Sequence, residues 1–89
     1  MTMVVVSHLV GDMETWLKGG EHRNAVFSKF CSGHRIFKHA ETNRVSILHE
    51  NVDLAKMQET MGAAETAKAK AADTVIDPID VYIEVVGGK

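Results

Sequence analysis

The chain opens on Met3-Val4-Val5-Val6-Ser7-His8-Leu9-Val10, a run whose two alternating faces are both largely apolar. Met3, Val5 and Leu9 fall on one face and Val4, Val6 and Val10 on the other, because successive side chains of a strand point to opposite sides. Such a strand must be covered on both sides. Gly11-Asp12 ends it. Asp12 then stands as a helix N-cap, with Glu14 in the first turn, where the helix dipole favours negative charge. Met13, Trp16, Leu17 and Gly20 recur at helical spacing and form one stripe. Gly19-Gly20 weakens this helix by roughly 1 kcal/mol per glycine relative to alanine. The pair reads either as a break into a looser second turn or as a close approach of helix to sheet. The helical pattern extends over Arg23 to Phe30, with Val26, Phe27 and Phe30 inward.

Ser32-Gly33 is a turn, and His34 to Ala40 reads as a second strand. Glu41-Thr42-Asn43 is a polar connection suited to a hairpin. Arg44 to Glu50 is the third strand. A three-residue loop puts Phe37 opposite Ile47 and Arg35 opposite His49; a slip of one residue reverses every face. Asp53 is a second N-cap, followed by Leu54, Met57, Met61 and Ala64 at helical spacing. Ala63 to Ala72 is rich in strong helix formers, and Gly62 is a point of division. Lys68 and Lys70 with Glu59 and Glu65 read as a solvated helix face. Thr74 to Pro78 is a connection or an irregular strand start. Ile79 to Val86 is the last strand, with Val81, Ile83 and Val85 on one face and Tyr82 and Glu84 on the other. Gly87-Gly88-Lys89 reads as a flexible tail beyond a single domain over residues 1–86.

The order strand, helix, strand, strand, helix, strand predicts an α+β, ferredoxin-like βαββαβ fold. Right-handed crossovers give a four-stranded antiparallel sheet in the order 4-1-3-2, with both helices on one face. The helix-free face is then apolar and bare, which predicts a homodimer. Size points the same way. A chain of 89 residues buries a modest core, and domains of this size often gain stability by association. Cys31 is the only cysteine, so a disulfide within the chain is excluded. The net charge of −2 offers no basic face to nucleic acid. No apolar stretch approaches the roughly 20 residues that span a bilayer, and the N-terminal run lacks the basic flank and cleavage site of a signal peptide. Cytoplasmic residence is the expectation.

Asp12-x-x-x-Trp16 after an apolar first strand resembles the first-helix signature of small dimeric α+β barrel proteins. Gly33-His34-Arg35-Ile36-Phe37-Lys38 is similar to their second strand. Asn43-Arg44-Val45 to Glu50, followed by Val52-Asp53-Leu54-Ala55-Lys56, is similar to their hairpin and capped second helix. The resemblance implies two sheets packed face to face around a shared interior. It also implies a membership that includes cofactor-independent monooxygenases related to antibiotic biosynthesis, polyketide cyclases, lactone isomerases and haem-degrading enzymes. Two features depart from it. Monooxygenase-like members often carry a tryptophan just after the position of Glu50, and here Asn51 stands there. Haem-degrading members use a histidine on the second long helix, and Asp53 to Asp73 contains none.

Five histidines are the main chemical signal, because imidazole exchanges protons near neutral pH. His8 and His49 fall on adjacent central strands. Facing the shared interior, they would serve as catalytic base and acid on a bound small molecule. Arg35 would orient a carboxylate or enolate, and Phe37, Tyr82 and Trp16 would line the ligand. The bland alternatives stand beside these roles: strand-end histidines satisfied by hydrogen bonds, and Trp16 as a core anchor. His34 and His39 point to opposite faces, and Cys31-x-x-His34 is a two-ligand fragment, so no metal is expected. Without a glycine-rich loop after a strand, no nucleotide is expected either, and no cofactor is assigned. Two readings remain: a small apolar organic ligand bound with cofactor-free cyclase, isomerase or monooxygenase-type chemistry, or a non-enzymatic dimeric interaction or stress-related module.

Overall fold

Two aspartates start the helical layer. Asp12 accepts from the Thr15 amide and Asp53 from the Lys56 amide, each at 3.2 Å, the side-chain caps that short polar residues supply. The computed structural model describes residues 2–85. Its elements run β1 (Thr2–Val10), α1 (Met13–Lys18), α2 (Gly20–Phe27), β2 (Gly33–Lys38), β3 (Arg44–Val52), α3 (Leu54–Met61), α4 (Ala64–Ala72) and β4 (Val75–Ile83). Both expected helical regions are split, the first at Gly19 and the second at Gly62-Ala63. Val86 and the Gly87-Gly88-Lys89 segment lie outside the described residues.

The sheet order is β2-β3-β1-β4 with every neighbour antiparallel. This is the expected 4-1-3-2 order, and the fold is α+β and ferredoxin-like. β1 is central, which explains its two apolar faces. Val4, Val6 and Val10 are buried with Val45, Ile47 and Val52 against Trp16, Phe27, Phe30 and Met57. The helices therefore cover this one face.

The hairpin register differs from the expected one. Ile36 pairs with Ile47, His34 with His49, Arg35 with Leu48 and Phe37 with Ser46. The connection is longer by one residue because His39 still bonds Arg44, its amide reaching the Arg44 carbonyl at 2.8 Å. The His39 Nδ1 then accepts from the amides of Glu41 and Thr42. That side-chain cap holds a four-residue turn, and the added residue turns Arg35 and Phe37 away from the helices.

Three further details differ from the expected pattern. Leu17, expected inward, is exposed: within α1 it is Trp16 that turns to the core, and the next residue points about 100° away. β4 begins at Val75, not Ile79; its pairing with β1 is irregular between Leu9–Ile76 and Ser7–Asp80. Pro78 sits in that irregularity on an edge strand, where a missing amide costs little. Asn51, at φ 55°, is the extra residue of a bulge between the pairs Val4–His49 and Thr2–Val52. Asparagine tolerates this left-handed backbone better than a bulky ring does, and the bulge returns Val52 to the core.

Candidate functional site

Between the sheet and the helices lies a cavity of about 60 Å³, measured as space open to the centre of a water molecule. At roughly 10–15 Å³ each, that is room for about four to six waters. Val6 and Ile47 form its floor, and Phe27, Met57 and Met61 close it from above. Polar side chains from four elements reach into this apolar space: His8, His49, Arg23, and Lys70 with Asp73.

His8 and His49 share the face but not one point. His8 pairs with Val45 and His49 with Val4, an offset of four residues, or roughly 14 Å along the strands. They mark two ends of the cavity. At one end, His8 Nδ1 donates to the Leu9 carbonyl at 2.9 Å. An imidazole that donates through one nitrogen keeps a lone pair on the other when neutral. Burial lowers the His8 pKa, and the nearby Arg23, Arg44 and Lys70 charges lower it further. The ring stands edge-on to Trp16, centroids 6.2 Å apart.

At the other end His49 is 1% exposed. Its ring meets Phe27 edge-on at 4.5 Å and Phe30 at 5.3 Å. Burial pushes its pKa down to about 4, assisted by His34. Cys31 Sγ lies 3.6 Å from His49 Nδ1 and donates to the Phe27 carbonyl at 3.2 Å. Burial raises the thiol pKa, so at neutral pH this is a contact between an uncharged thiol and an uncharged ring, with no thiolate to act as nucleophile.

Arg23 was not foreseen as a site residue. It is 7% exposed. Its guanidinium lies 3.8 Å over the Trp16 ring. Nη1 donates to the Trp16 carbonyl at 2.6 Å and to Asp73 Oδ2 at 3.2 Å. Nε–H is buried with no partner among the described residues. Asp73 also takes His22 Nε2 at 3.1 Å. Gly19 permits this arrangement, because a Cβ there would collide with the Asp73 carboxylate. The close approach read as one alternative for Gly19-Gly20 is thus real, but the neighbour is a carboxylate on the other helical region. A signal for Arg23 was present in the sequence: Trp16, Gly20, Arg23 and Phe27 follow the i, i+4, i+7, i+11 line of one helix face. Lys70, expected on a solvated face, instead lines the cavity with Nζ 3.9 Å from Asp77.

The remaining expected ligand contacts divide between the two faces. Trp16 walls the cavity and is also a core anchor, 1% exposed. Arg35, Phe37 and Tyr82 do not join it. Their pairing with Leu48, Ser46 and Val5 puts them on the helix-free face. The same register turns His8 and His49 away from that face, so both point into the interior of one subunit and not into a chamber shared by two sheets. On the bare face Phe37 is 55% and Tyr82 60% exposed, and Met3, Leu9 and Ile76 are exposed with them. In their midst Arg44 Nη1 donates to Ser7 Oγ at 3.2 Å and lies 3.9 Å from Asp80. Among the described residues no cluster of three or more His, Cys, Asp or Glu side chains is arranged to hold a metal ion, and no helix is long and apolar enough to cross a membrane.

No protein-family profile matches the sequence, and neither does any curated protein. Solved structures do match over nearly the whole chain. A Bordetella bronchiseptica protein, provisionally named an antibiotic biosynthesis monooxygenase, aligns with a TM-score of 0.73 at 17% identity, covering 96% of this chain and 97% of that one. A Nitrosomonas europaea protein with the same provisional name gives 0.64 at 13% identity, covering 96% and 97%. SnoaB, a cofactor-independent oxygenase from Streptomyces nogalater, gives 0.64 at 10% identity, covering 91% and 88%. The fold is therefore that of the antibiotic biosynthesis monooxygenase-like ferredoxin-fold proteins, as the sequence resemblance implied. At these identities the likeness concerns the fold.

Proposed function

We propose that the cavity binds a small, mostly apolar organic molecule and that His8 takes a proton from it without a cofactor. The observation that carries this reading is the His8 ring: neutral, fixed through Nδ1 to the Leu9 carbonyl, and placed in the wall of a largely apolar cavity. Its Nε2 lone pair is a general base held in one orientation. The proton would leave a carbon next to a carbonyl. That step opens cyclisation and isomerisation, and it is also a first step for oxygenation without a cofactor, the chemistry named for SnoaB. His49 stands too far along the strands to share the same proton and serves as the far wall. We further propose that the protein works as a homodimer, joined through the face bearing Phe37 and Tyr82.

A small enolisable ketone such as cyclohexanone tests the catalytic part. Exchange of its α-hydrogens in D2O, followed by NMR, is expected to accelerate with the wild-type protein. His8→Gln is expected to remove roughly 100-fold or more of that acceleration, the usual scale of a positioned base, while the melting temperature stays within a few degrees. Equal rates for wild type and variant would leave the non-enzymatic dimeric module as the better reading.

A further inference from the structure

Among the described residues three charged side chains line the cavity: Arg23, Lys70 and Asp73. Both lining histidines are held neutral near pH 7, because burial disfavours their protonated forms. The wall thus carries one positive charge that no lining group balances. Arg23 is already matched by Asp73 at 3.2 Å, so the excess falls on Lys70. Lys70 and Asp73 stand three residues apart and so share one helix face, which puts Lys70 at the His8 end. Outside the cavity Lys70 has, among the described residues, only Asp77, at 3.9 Å with a side chain 77% exposed, a pairing that water screens heavily. The second sign is Arg23 Nε–H, a buried donor with no acceptor among the described residues, in a side chain whose two hydrogen bonds are both made through Nη1. A buried charged donor left unpaired is costly, and an arriving acceptor recovers that cost. The His49 end is built from Phe27, Phe30 and Met57 and offers no counterpart.

A wall that is cationic and donor-rich at one end and aromatic at the other fits an amphipathic anion. We propose that the ligand is a small apolar monocarboxylate, its carboxylate against Lys70 and beside the Arg23 guanidinium and its apolar body lying over Ile47 toward His49. This rests on the reading that the cavity is a ligand site. A single charge on the ligand balances the single excess charge of the wall. The cavity of about 60 Å³ limits the body to a ring or a short chain, with Met57 and Met61 able to shift and admit a few more atoms.

Benzoate and hexanoate, paired with benzamide and hexanamide, make the test. Each pair keeps shape and removes charge. Binding is read by NMR titration of the His8 and His49 ring signals. The acids are expected to bind at least tenfold more tightly than their amides and to raise the pKa of His8, which the amides leave in place. Lys70→Met keeps the side-chain stem and is expected to weaken the acids about tenfold while sparing the amides; Lys70→Arg is expected to restore them. Asp77→Asn, which removes the competing carboxylate, is expected to tighten the acids. Amides that bind as well as acids, or acids indifferent to Lys70→Met, would overturn the carboxylate assignment and leave the ligand cavity standing. If no probe moves either ring signal at millimolar concentration, the cavity reading falls as well.

Discussion

The two faces of the sheet use the same kinds of residue to different ends. The covered face carries Arg23 paired with Asp73, and the bare face carries Arg44 beside Asp80. The side chains of the first pair are 8% and 7% exposed; those of the second are 41% and 49% exposed. Dielectric surroundings separate them more than geometry does. Under the helices, little room is left for water and most polar groups must be answered by the protein. There the histidines are driven neutral and a donor such as Arg23 Nε–H is left waiting. On the bare face, water still answers the charges, and the exposed Phe37 and Tyr82 are what remains unsatisfied. Chemistry belongs to the first environment and association to the second.

The largest effect expected from this contrast is at Asp73. Asp73→Ala strips the buried guanidinium of its carboxylate and is expected to cost about 3–5 kcal/mol, the scale of breaking one partner of a buried pair. That is a large share of a small domain's stability, and urea unfolding reads it directly. Arg23→Met combined with Asp73→Leu is expected to recover most of the loss, since no charge is then left stranded. A cost below about 1 kcal/mol for the single variant would place the pair with ordinary surface ion pairs.

His49 gives the next effect, and it depends on pH. Unfolded, its imidazole takes up a proton near pH 6.5; folded, it resists until about pH 4. Between these values the unfolded state binds more protons, so stability falls as pH falls. The gap corresponds to about 3 kcal/mol, fully lost at pH 4 and absent above pH 6.5. Urea unfolding at pH 4.5 and pH 7.5 is expected to show most of it. His49→Leu, an apolar fit among Phe27 and Phe30, is expected to flatten the slope by more than half. The remainder comes from His8 and His34, whose pKa values are also lowered by burial. An unchanged slope in His49→Leu would show that His49 is open to water.

Much of the covered face was legible in the sequence, and the reasons are local. Alternation in Met3 to Val10 marked a central strand with two apolar faces, and Asp12 and Asp53 marked both helix starts because each cap is made within four consecutive residues. The face of Arg35 and Phe37 was not legible. It turns on one residue of loop length, fixed by the His39 imidazole taking two turn amides, and no pattern of apolar positions encodes that. The Arg23–Asp73 pair spans 50 residues. Arg23 could be suspected from its place in the line of Trp16 and Phe27, but Asp73 looked like an ordinary helix end. Lys70 was misread because a lysine at an alanine-rich helix end usually meets water.

Phe37 tests the bare face. If that face is covered by a second copy, Phe37→Ser removes a large aromatic from the contact and is expected to weaken dimerisation by about 1–2 kcal/mol, or roughly tenfold in Kd. Sedimentation velocity across a concentration series reads the shift. The unfolding free energy of the dilute protein is expected to change by no more than about 0.5 kcal/mol, as for other exposed substitutions. A wild-type protein that stays a single subunit at high micromolar concentration would remove the dimer and return this face to solvent.

The smallest effect is at Asp80, and its value lies in how it changes with concentration. In one subunit Arg44 and Asp80 are half exposed and 3.9 Å apart. Asp80→Asn is then expected to cost about 0.2–1 kcal/mol, the range of screened surface pairs. Dimerisation would withdraw the water around Arg44, whose remaining protein partner is Ser7 Oγ at 3.2 Å. The same substitution would then strand a charge, as Asp73→Ala does under the helices. Its cost is expected to climb with protein concentration toward that of the buried pair. Unfolding of wild type and Asp80→Asn at low and high micromolar concentration separates the cases. A penalty that stays constant means that water still reaches Arg44 and the face is open; a penalty that grows means that the two sides of the sheet become electrostatically alike once a twin subunit is in place.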